Sequence, residues 1–193
     1  HLREICRQLE KTVDVLIRVN PSFELSGSGM KMGGGPKQFG LDSTLVPGIL
    51  SDLKNYPLIK FRGIHIYSGS QNLDSSSILE AFSKIIEYAA KLAKESGMPM
   101  DIVNLGGGLG IPYFSQDRDL NLEQLGSGVA QLIAGANSTL PNTQFVIEMG
   151  RYIVGECGLY VSTVLYKKVS HSETFLILDG GMHHHLAASG NLG

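Results

Sequence analysis

Short apolar runs alternate with longer amphipathic stretches over most of the chain that precedes Glu148. The runs are rich in β-branched residues and predict strands at 13–19, 60–66, 102–105 and 144–147. Their largely continuous apolar character is typical of parallel strands that are buried on both faces. The stretches between them predict helices at 44–55, 76–96 and 122–136. The pattern therefore indicates an α/β protein with a parallel sheet.

The clearest predicted helix is the one at 76–96. Its apolar side chains recur at helical spacing, its charged side chains lie elsewhere, and Gly97 predicts its end. After Glu148 the pattern changes, because strand-like runs at 158–168 and 174–178 follow each other without a helix between them. We therefore expect a second, antiparallel domain to begin there.

Alternation of strands and helices leaves two parallel folds, a doubly wound sheet and a (β/α)8 barrel. The motifs described below follow several strand ends, as in barrel enzymes, whereas a doubly wound sheet concentrates its ligand contacts at one switch point. The predicted strands make half of a barrel. We therefore expect residues 1–157 to be the C-terminal half of a (β/α)8 TIM barrel. Residues 158–193 should begin an antiparallel β-domain, and the chain should be part of a longer protein.

Composition and charge narrow the function classes. The chain has 193 residues, of which 42% are hydrophobic and 18% are charged, as is usual for soluble globular proteins. A net charge of −2 argues against nucleic-acid binding, and no apolar stretch is long enough to span a bilayer. We therefore expect a cytoplasmic protein. Cys6 and Cys157 cannot form a disulfide framework and lack metal-ligand spacing.

Three features at predicted strand ends suggest chemistry. The run from Gly106 to Gly108 removes side chains where a strand ends, so backbone N–H groups can approach an anion. Glu148 ends the last apolar strand, and a buried carboxylate needs a cationic partner. Arg151 carries a planar fork of donors that suits phosphate or carboxylate. The glycine run also fits a tight turn, and Glu148 with Arg151 also fits a structural ion pair.

Four motifs, in their order along the chain, resemble those of the fold-type III pyridoxal-phosphate-dependent decarboxylases, the ornithine and diaminopimelate decarboxylase family. They are the loop 33–40, which ends in Lys-Gln-Phe-Gly, the segment 65–71, which reads His-Ile-Tyr-Ser-Gly-Ser-Gln, the glycine run 106–110, and the segment 148–152, which reads Glu-Met-Gly-Arg-Tyr. The resemblance implies an alanine-racemase-like barrel with pyridoxal 5′-phosphate as cofactor. It also implies a carboxy-lyase that decarboxylates an amino acid or an amino-acyl conjugate, and a homodimer with shared active sites.

The resemblance assigns roles to individual residues. It implies that Glu148 is the catalytic residue that faces the pyridine nitrogen, and that Arg151 binds the substrate as well as the cofactor. The cofactor-binding residues that it implies are Tyr67, Ser70, Gly106, Gly107, Gly108, Glu148, Gly150 and Arg151. The family's Schiff-base lysine and its acid cysteine match no position here. Lys31, Lys37 and Cys157 lie in other motifs, so they are not assigned to these roles.

The residue that stacks on the cofactor ring is open between two candidates. In the family a histidine usually stacks there, but alignment on Gly69, Ser70 and Gln71 places Tyr67 at that position and His65 two residues earlier on the same face. The tyrosine ring can stack but does not change charge near neutral pH, as an imidazole does. His65 also fits a histidine that merely fills the barrel interior.

Three adjacent histidines, His183, His184 and His185, suggest a metal site. On a strand His183 and His185 would share one face and His184 would take the other, without an acidic or cysteine ligand at a usual spacing, so we expect no metal. With the segment 187–191 behind it, the run resembles a subset of the family found in secondary-metabolite and exopolysaccharide pathways. This subset includes the butirosin-type glutamyl-carrier-protein decarboxylases and the exosortase-associated decarboxylases. The resemblance therefore implies a role in antibiotic biosynthesis, with a carrier-protein-bound glutamyl group as one possible substrate.

Two alternatives share the barrel. One is an amino-acid racemase, but the racemases favour arginine at the pyridine nitrogen, and Glu148 stands at that position here. The other is a catalytically silent homologue. The unmatched Schiff-base lysine leaves that alternative open, whereas Glu148, Arg151 and the glycine run argue against it.

Overall fold

The computed structural model describes residues 1–23, 30–31 and 35–184. Residues 27–29 and 32–34 of the glycine-rich loop, His185 and the segment 187–191 lie outside the described residues. The elements are α1 (Leu2–Leu9), β1 (Val13–Asn20), β2 (Met30–Lys31), β3 (Leu41–Asp42), α2 (Val46–Leu53), β4 (Ile59–His65), β5 (Gly69–Ser70), α3 (Ser75–Ser96), β6 (Ile102–Asn104), α4 (Leu122–Ala136), β7 (Gln144–Val146), α5 (Gly150–Val154), β8 (Val164–Ser170) and β9 (Glu173–Leu178).

The main sheet is parallel and follows the order β3-β1-β4-β6-β7. Strands β1, β4, β6 and β7 lie side by side in their order along the chain, and the two-residue strand β3 pairs with the other side of β1. In this register His65 pairs with Arg18 on one side and with Asn104 on the other, and Asn104 pairs with Val146. The carboxyl ends of β4, β6 and β7 therefore lie side by side.

A bulge in β4 interrupts the regular pairing with β1. The pairing steps from Phe61 directly to Gly63, so Arg62 is an extra residue on β4. Gly63 has φ +145°, and a Cβ at this position would overlap the carbonyl oxygen of Ile102. Glycine is therefore required for β4 and β6 to approach each other here.

The bulge decides which side chains of β4 face the helices. Phe61 is buried in the core before the bulge, and Ile64 and Ile66 are buried in it afterwards. His65 and Tyr67 alternate with them on the opposite face. A regular strand that kept Phe61 in the core would have turned His65 and Tyr67 toward the core as well.

The hydrophobic core lies between one face of the sheet and helices α2, α3 and α4. Its fully buried side chains include Val19, Ile64 and Val103 from the sheet and Leu50, Phe82 and Ile85 from the helices. The opposite face carries charged and exposed residues, and Arg62 there pairs with Asp14 at 3.3 Å and with Asp101 at 2.6 Å. The prediction that the strands are buried on both faces is therefore wrong for the described residues, because helices cover one face only.

The predicted helices are confirmed with small changes at their ends. Asp74 caps α3 by accepting the N–H of Ser76 at 3.0 Å, and Gly97 ends it in the left-handed region with φ 66°. Helix α4 has the predicted bounds, whereas α2 is shorter than the predicted 44–55. The short helices α1 and α5 were not predicted. No helix among the described residues combines the length and the apolar character needed to cross a membrane.

Strands β8 and β9 form an antiparallel hairpin, as predicted for this region. The predicted strand at 158–168 is wrong at its start, because the strand begins at Val164 and continues to Ser170. His171 and Ser172 connect the two strands, and both have positive φ, as a tight hairpin turn requires.

Candidate functional site

A cavity of about 280 Å³ lies where the loops after β4, β6 and β7 meet. Its lining residues are Tyr67, Ser70, Gly108, Leu109, Glu148, Gly150 and Arg151. All of these except Leu109 are among the predicted cofactor-binding residues. Larger depressions lie between α3 and α4 (about 660 Å³), beside α1 (about 530 Å³) and at the ends of β1 and β3 (about 420 Å³), but none of the three is lined by a predicted site residue. We therefore take the smaller cavity as the candidate site.

Glu148 presents its carboxylate to this cavity. The side chain is 46% exposed, so the premise that this carboxylate is buried at the strand end is wrong. The amide Nδ2 of Asn104 donates to Glu148 Oε1 at 2.9 Å, and His65 Nε2 lies 3.5 Å from the same oxygen. No hydrogen bond among the described residues uses Oε2. One oxygen of Glu148 is therefore held by the protein, while the other is open to a ligand.

His65 is half-buried on the polar face of the sheet. Burial lowers the pKa of its imidazole, the Glu148 carboxylate opposes this by raising it, and the nearby Arg18 lowers it further. The net shift is downward, so His65 is neutral at neutral pH. Its Nε2 is shielded from solvent and makes no hydrogen bond within the described chain.

Tyr67 and Ser70 line the cavity from the segment after β4. Arg18 stands beside them, with its guanidinium carbon 5.9 Å from the centre of the Tyr67 ring and 5.0 Å from that of Phe39. Tyr67 borders the cavity itself, whereas His65 contacts Glu148. The assignment of Tyr67 as the stacking residue stays a prediction. Arg18 was not predicted, although a lone arginine in the apolar run of β1 was a visible signal.

The glycine run 106–108 packs directly against two neighbouring segments. A Cβ at Gly106 would overlap the carbonyl oxygen of Ile66, one at Gly107 that of Glu148, and one at Gly108 that of Gly69. No hydrogen bond among the described residues uses the N–H of Gly107 or of Gly108. Of the run, Gly108 lines the cavity, so its unused N–H lies there without a side chain in the way.

Arg151 lies in α5 at the edge of the cavity. Its Nη1 donates to Gln71 Oε1 at 3.1 Å, and its guanidinium carbon lies 5.7 Å from the centre of the Tyr113 ring. Gln71 is itself fixed, because its Nε2 donates to the carbonyl of Ile111 at 2.5 Å and its Oε1 accepts the N–H of that residue. These contacts hold a cation at the cavity edge, where it can bind an anion.

Two other predicted features lie away from the cavity. The described end of the glycine-rich loop places Lys37 and Phe39 at the surface, with neither in the cavity lining. His183 and His184 lie in a turn rather than a strand, and their ring centres are 3.9 Å apart. The prediction that they face opposite sides is therefore wrong. The described residues hold no cluster of three or more histidine, cysteine or acidic side chains that could bind a metal.

Asn104 is the site residue that sequence reasoning missed most clearly. The residue is 9% exposed, and its side chain links Glu148 to the glycine run by donating to Glu148 and accepting the N–H of Gly106 at 2.9 Å. The signal was a single polar residue at the end of an apolar strand, directly before Leu105 and the glycines.

Comparisons with known proteins agree on one family. The family model described as "Pyridoxal-dependent decarboxylase, pyridoxal binding domain" matches residues 1–155. The chain is 37% identical over 190 residues to L-glutamyl-[BtrI acyl-carrier protein] decarboxylase of Niallia circulans, covering 98% of this chain and 44% of that protein. It is 33% identical over 156 residues to diaminopimelate decarboxylase of Thermoplasma acidophilum, covering 80% and 38%. The chain thus spans less than half the length of these relatives.

Solved structures give the same result. The chain superimposes on diaminopimelate decarboxylase from Helicobacter pylori complexed with L-lysine with a TM-score of 0.80 and 25% identity, covering 100% of this chain and 47% of that one. For the Methanocaldococcus jannaschii enzyme in co-complex with L-lysine, the TM-score is 0.79 at 26% identity, covering 94% and 42%.

Proposed function

Since the chain belongs to the pyridoxal-dependent decarboxylase family, we propose that the full-length protein decarboxylates an amino acid or an amino-acyl conjugate. This chain holds much of the site for pyridoxal 5′-phosphate, the cofactor of the family. The observation that carries the proposal is the convergence of Tyr67, Ser70, Gly108, Glu148, Gly150 and Arg151 on one cavity at the strand ends.

The groups around the cavity fit this cofactor. A phosphate needs several donors, and the hydroxyl of Ser70, the N–H of Gly108 and the guanidinium of Arg151 lie beside the cavity. A protonated pyridine nitrogen needs an acceptor, and Oε2 of Glu148 is free to serve. A flat ring needs an aromatic or apolar neighbour, which Tyr67 provides.

The bound cofactor supplies an electron sink for the pair released when the carboxyl group leaves. Glu148 serves this reaction by keeping a proton on the ring nitrogen, because its negative charge favours the cationic form of that nitrogen. Arg151 serves it by binding an anionic group at the cavity edge, either the phosphate or a carboxylate of the substrate. Both roles need fixed side chains, and both side chains have hydrogen-bond partners in the protein.

The substrate class is the finer part of the proposal. The similarity to a glutamyl-carrier-protein decarboxylase, which spans nearly the whole of this chain, favours an amino-acyl group carried on a protein. A role in antibiotic biosynthesis would follow from such a substrate. The relatives named above are decarboxylases, so neither a racemase nor a silent homologue is proposed.

The architecture of the full-length protein is proposed on the same basis. Residues 1–157 would form the C-terminal half of a (β/α)8 barrel whose polar face is enclosed by further strands, and residues 158–193 would begin an antiparallel β-domain. The sequential order of β1, β4, β6 and β7 and the packing of α2, α3 and α4 against a single face support this arrangement. We also propose a cytoplasmic homodimer with shared active sites.

The proposal is tested by measuring carbon dioxide release by the full-length protein loaded with pyridoxal 5′-phosphate. The substrates are the L-glutamyl thioester of an acyl-carrier protein, meso-diaminopimelate and L-ornithine. Glu148→Gln should retain the cofactor and slow the release by about 10²-fold, a typical loss for one group that stabilises developing charge. Glu123→Gln, on the exposed side of α4, should behave as wild type. Wild-type turnover by Glu148→Gln would disprove the assignment of Glu148. Absence of carbon dioxide release from all three substrates would disprove the proposed activity.

A further inference from the structure

We propose that Asn104 and His65 are positioning residues that fix the Glu148 carboxylate through its Oε1 and so direct Oε2 toward the ring nitrogen of the cofactor. Asn104 also ties this carboxylate to the glycine run. The inference rests on the proposed function and deepens it, because it names the residues through which Glu148 acts.

The side chain of Asn104 joins two parts of the site that bind opposite ends of the cofactor. Gly106 donates its N–H to Asn104 Oδ1 at 2.9 Å, so the amide must point its oxygen toward the glycine run. Its NH₂ group then points at Glu148, to which it donates at 2.9 Å. An asparagine can donate at one end and accept at the other, whereas an aspartate cannot donate.

A backbone hydrogen bond also connects Glu148 to the glycine run. The N–H of Glu148 donates to the carbonyl of Gly106 at 2.7 Å. Three hydrogen bonds therefore link Asn104, Gly106 and Glu148 in a ring. Because Asn104 is buried and pairs in register with the neighbouring strands, this ring is anchored in the sheet rather than in a loop.

His65 approaches the same oxygen of Glu148 from β4. Its Nε2 lies 3.5 Å from Oε1 and is shielded from solvent. Burial is the main cause of its lowered pKa, so the imidazole is neutral and can direct one N–H at the carboxylate. The Asn104 hydrogen bond and the His65 ring beside the same oxygen restrict rotation of the carboxylate, so Oε2 stays on the cavity side.

The test compares the binding of two ligands to the cofactor-free full-length protein. One is pyridoxal 5′-phosphate, and the other is its 1-deaza analogue, in which carbon replaces the ring nitrogen. Asn104→Ala should weaken binding of pyridoxal 5′-phosphate about tenfold, as expected for one hydrogen bond to a charged group. Binding of the analogue should be nearly unchanged, because it offers Glu148 nothing to bind.

Matched variants distinguish a positioning role from a general loss of stability. Asn121→Ala removes the side-chain cap of α4, away from the cavity, and should change the binding of both ligands equally and little. His65→Leu should reduce the ratio of the affinity for pyridoxal 5′-phosphate to that for the 1-deaza analogue. His65→Gln can still donate a hydrogen bond and should restore part of this ratio. If Asn104→Ala does not fold, the two His65 variants provide the same comparison.

Each outcome decides one of the two proposals. A wild-type protein that binds neither ligand would overturn the proposed function, and one that binds both ligands equally well would overturn the proposed role of Glu148. A wild-type preference that survives in both Asn104→Ala and His65→Leu would overturn the positioning role alone. An equal loss of affinity for both ligands would show that Asn104 only maintains the fold.

Discussion

Gly107→Ala tests the central packing contact of the site. A Cβ at Gly107 would overlap the carbonyl oxygen of Glu148, and it would lie 2.9 Å from the carbonyl carbon and 3.3 Å from the Cβ of that residue. The overlap is with backbone, so no side-chain rotation relieves it. Either the glycine run or the backbone of Glu148 must therefore move.

The size of the effect follows from what this movement disturbs. Overpacking in a well-packed region costs about 1–3 kcal/mol. Separation of the run from Glu148 also weakens the hydrogen bond from Glu148 N–H to Gly106, which is worth about 1 kcal/mol. We therefore expect the free energy of unfolding to fall by about 1–4 kcal/mol. Cofactor affinity should fall about tenfold or more, since 1.4 kcal/mol corresponds to a factor of about ten.

The matched control is Gly126→Ala in α4. A Cβ at Gly126 has no heavy atom within 4 Å, and alanine stabilises a helix interior by about 0.5–1 kcal/mol relative to glycine. The two substitutions add the same methyl group but should shift stability in opposite directions. The assay is denaturation of the cofactor-free full-length protein, followed by titration with pyridoxal 5′-phosphate. Wild-type stability and affinity in Gly107→Ala would refute the contact between the glycine run and Glu148.

Three further predictions concern single residues. Tyr67→Ala should weaken the binding of pyridoxal 5′-phosphate and of its 1-deaza analogue by up to about tenfold, whereas Tyr67→Phe should bind both as wild type does. Wild-type affinity for the cofactor in Tyr67→Ala would assign the stacking role to His65. Borohydride reduction of the cofactor-loaded full-length protein should label neither Lys31 nor Lys37, as peptide mapping would show, and an adduct at either would place the Schiff-base lysine in the glycine-rich loop. The pKa of His65 is lower in the folded than in the unfolded protein, so the unfolded state binds the proton more readily and stability should fall as pH drops below about 6.5. Denaturation of the cofactor-free protein across this range should show a shallower loss for His65→Gln, and equal slopes would contradict the burial of His65.

Local periodicity was sufficient to predict the main elements of the fold. The spacing of apolar residues located α3 and α4, and Asp74 and Gly97 mark the ends of α3 because capping depends on a few adjacent residues. The short helices α1 and α5 escaped this reasoning, since eight and five residues give too little periodic signal. The start of β8 was also missed, because extended segments and strands look alike until a partner strand is known.

The sequence also located most of the candidate site. Glu148, the glycine run and Arg151 were predicted from their residue types and from the family motifs, and each follows a predicted strand. Their convergence on one cavity follows from parallel strands that end at the same edge of a sheet.

Only the tertiary structure decided how these residues are held. The bulge at Arg62 turns His65 and Tyr67 to the polar face, and strand alternation alone cannot reveal an extra residue that is defined by pairing with β1. The partnership of Asn104 with Glu148 joins residues 44 positions apart and depends on the register of β6 against β7. Such contacts arise from packing between distant segments, so the sequence by itself determined which chemical groups are present and the fold determined which of them meet.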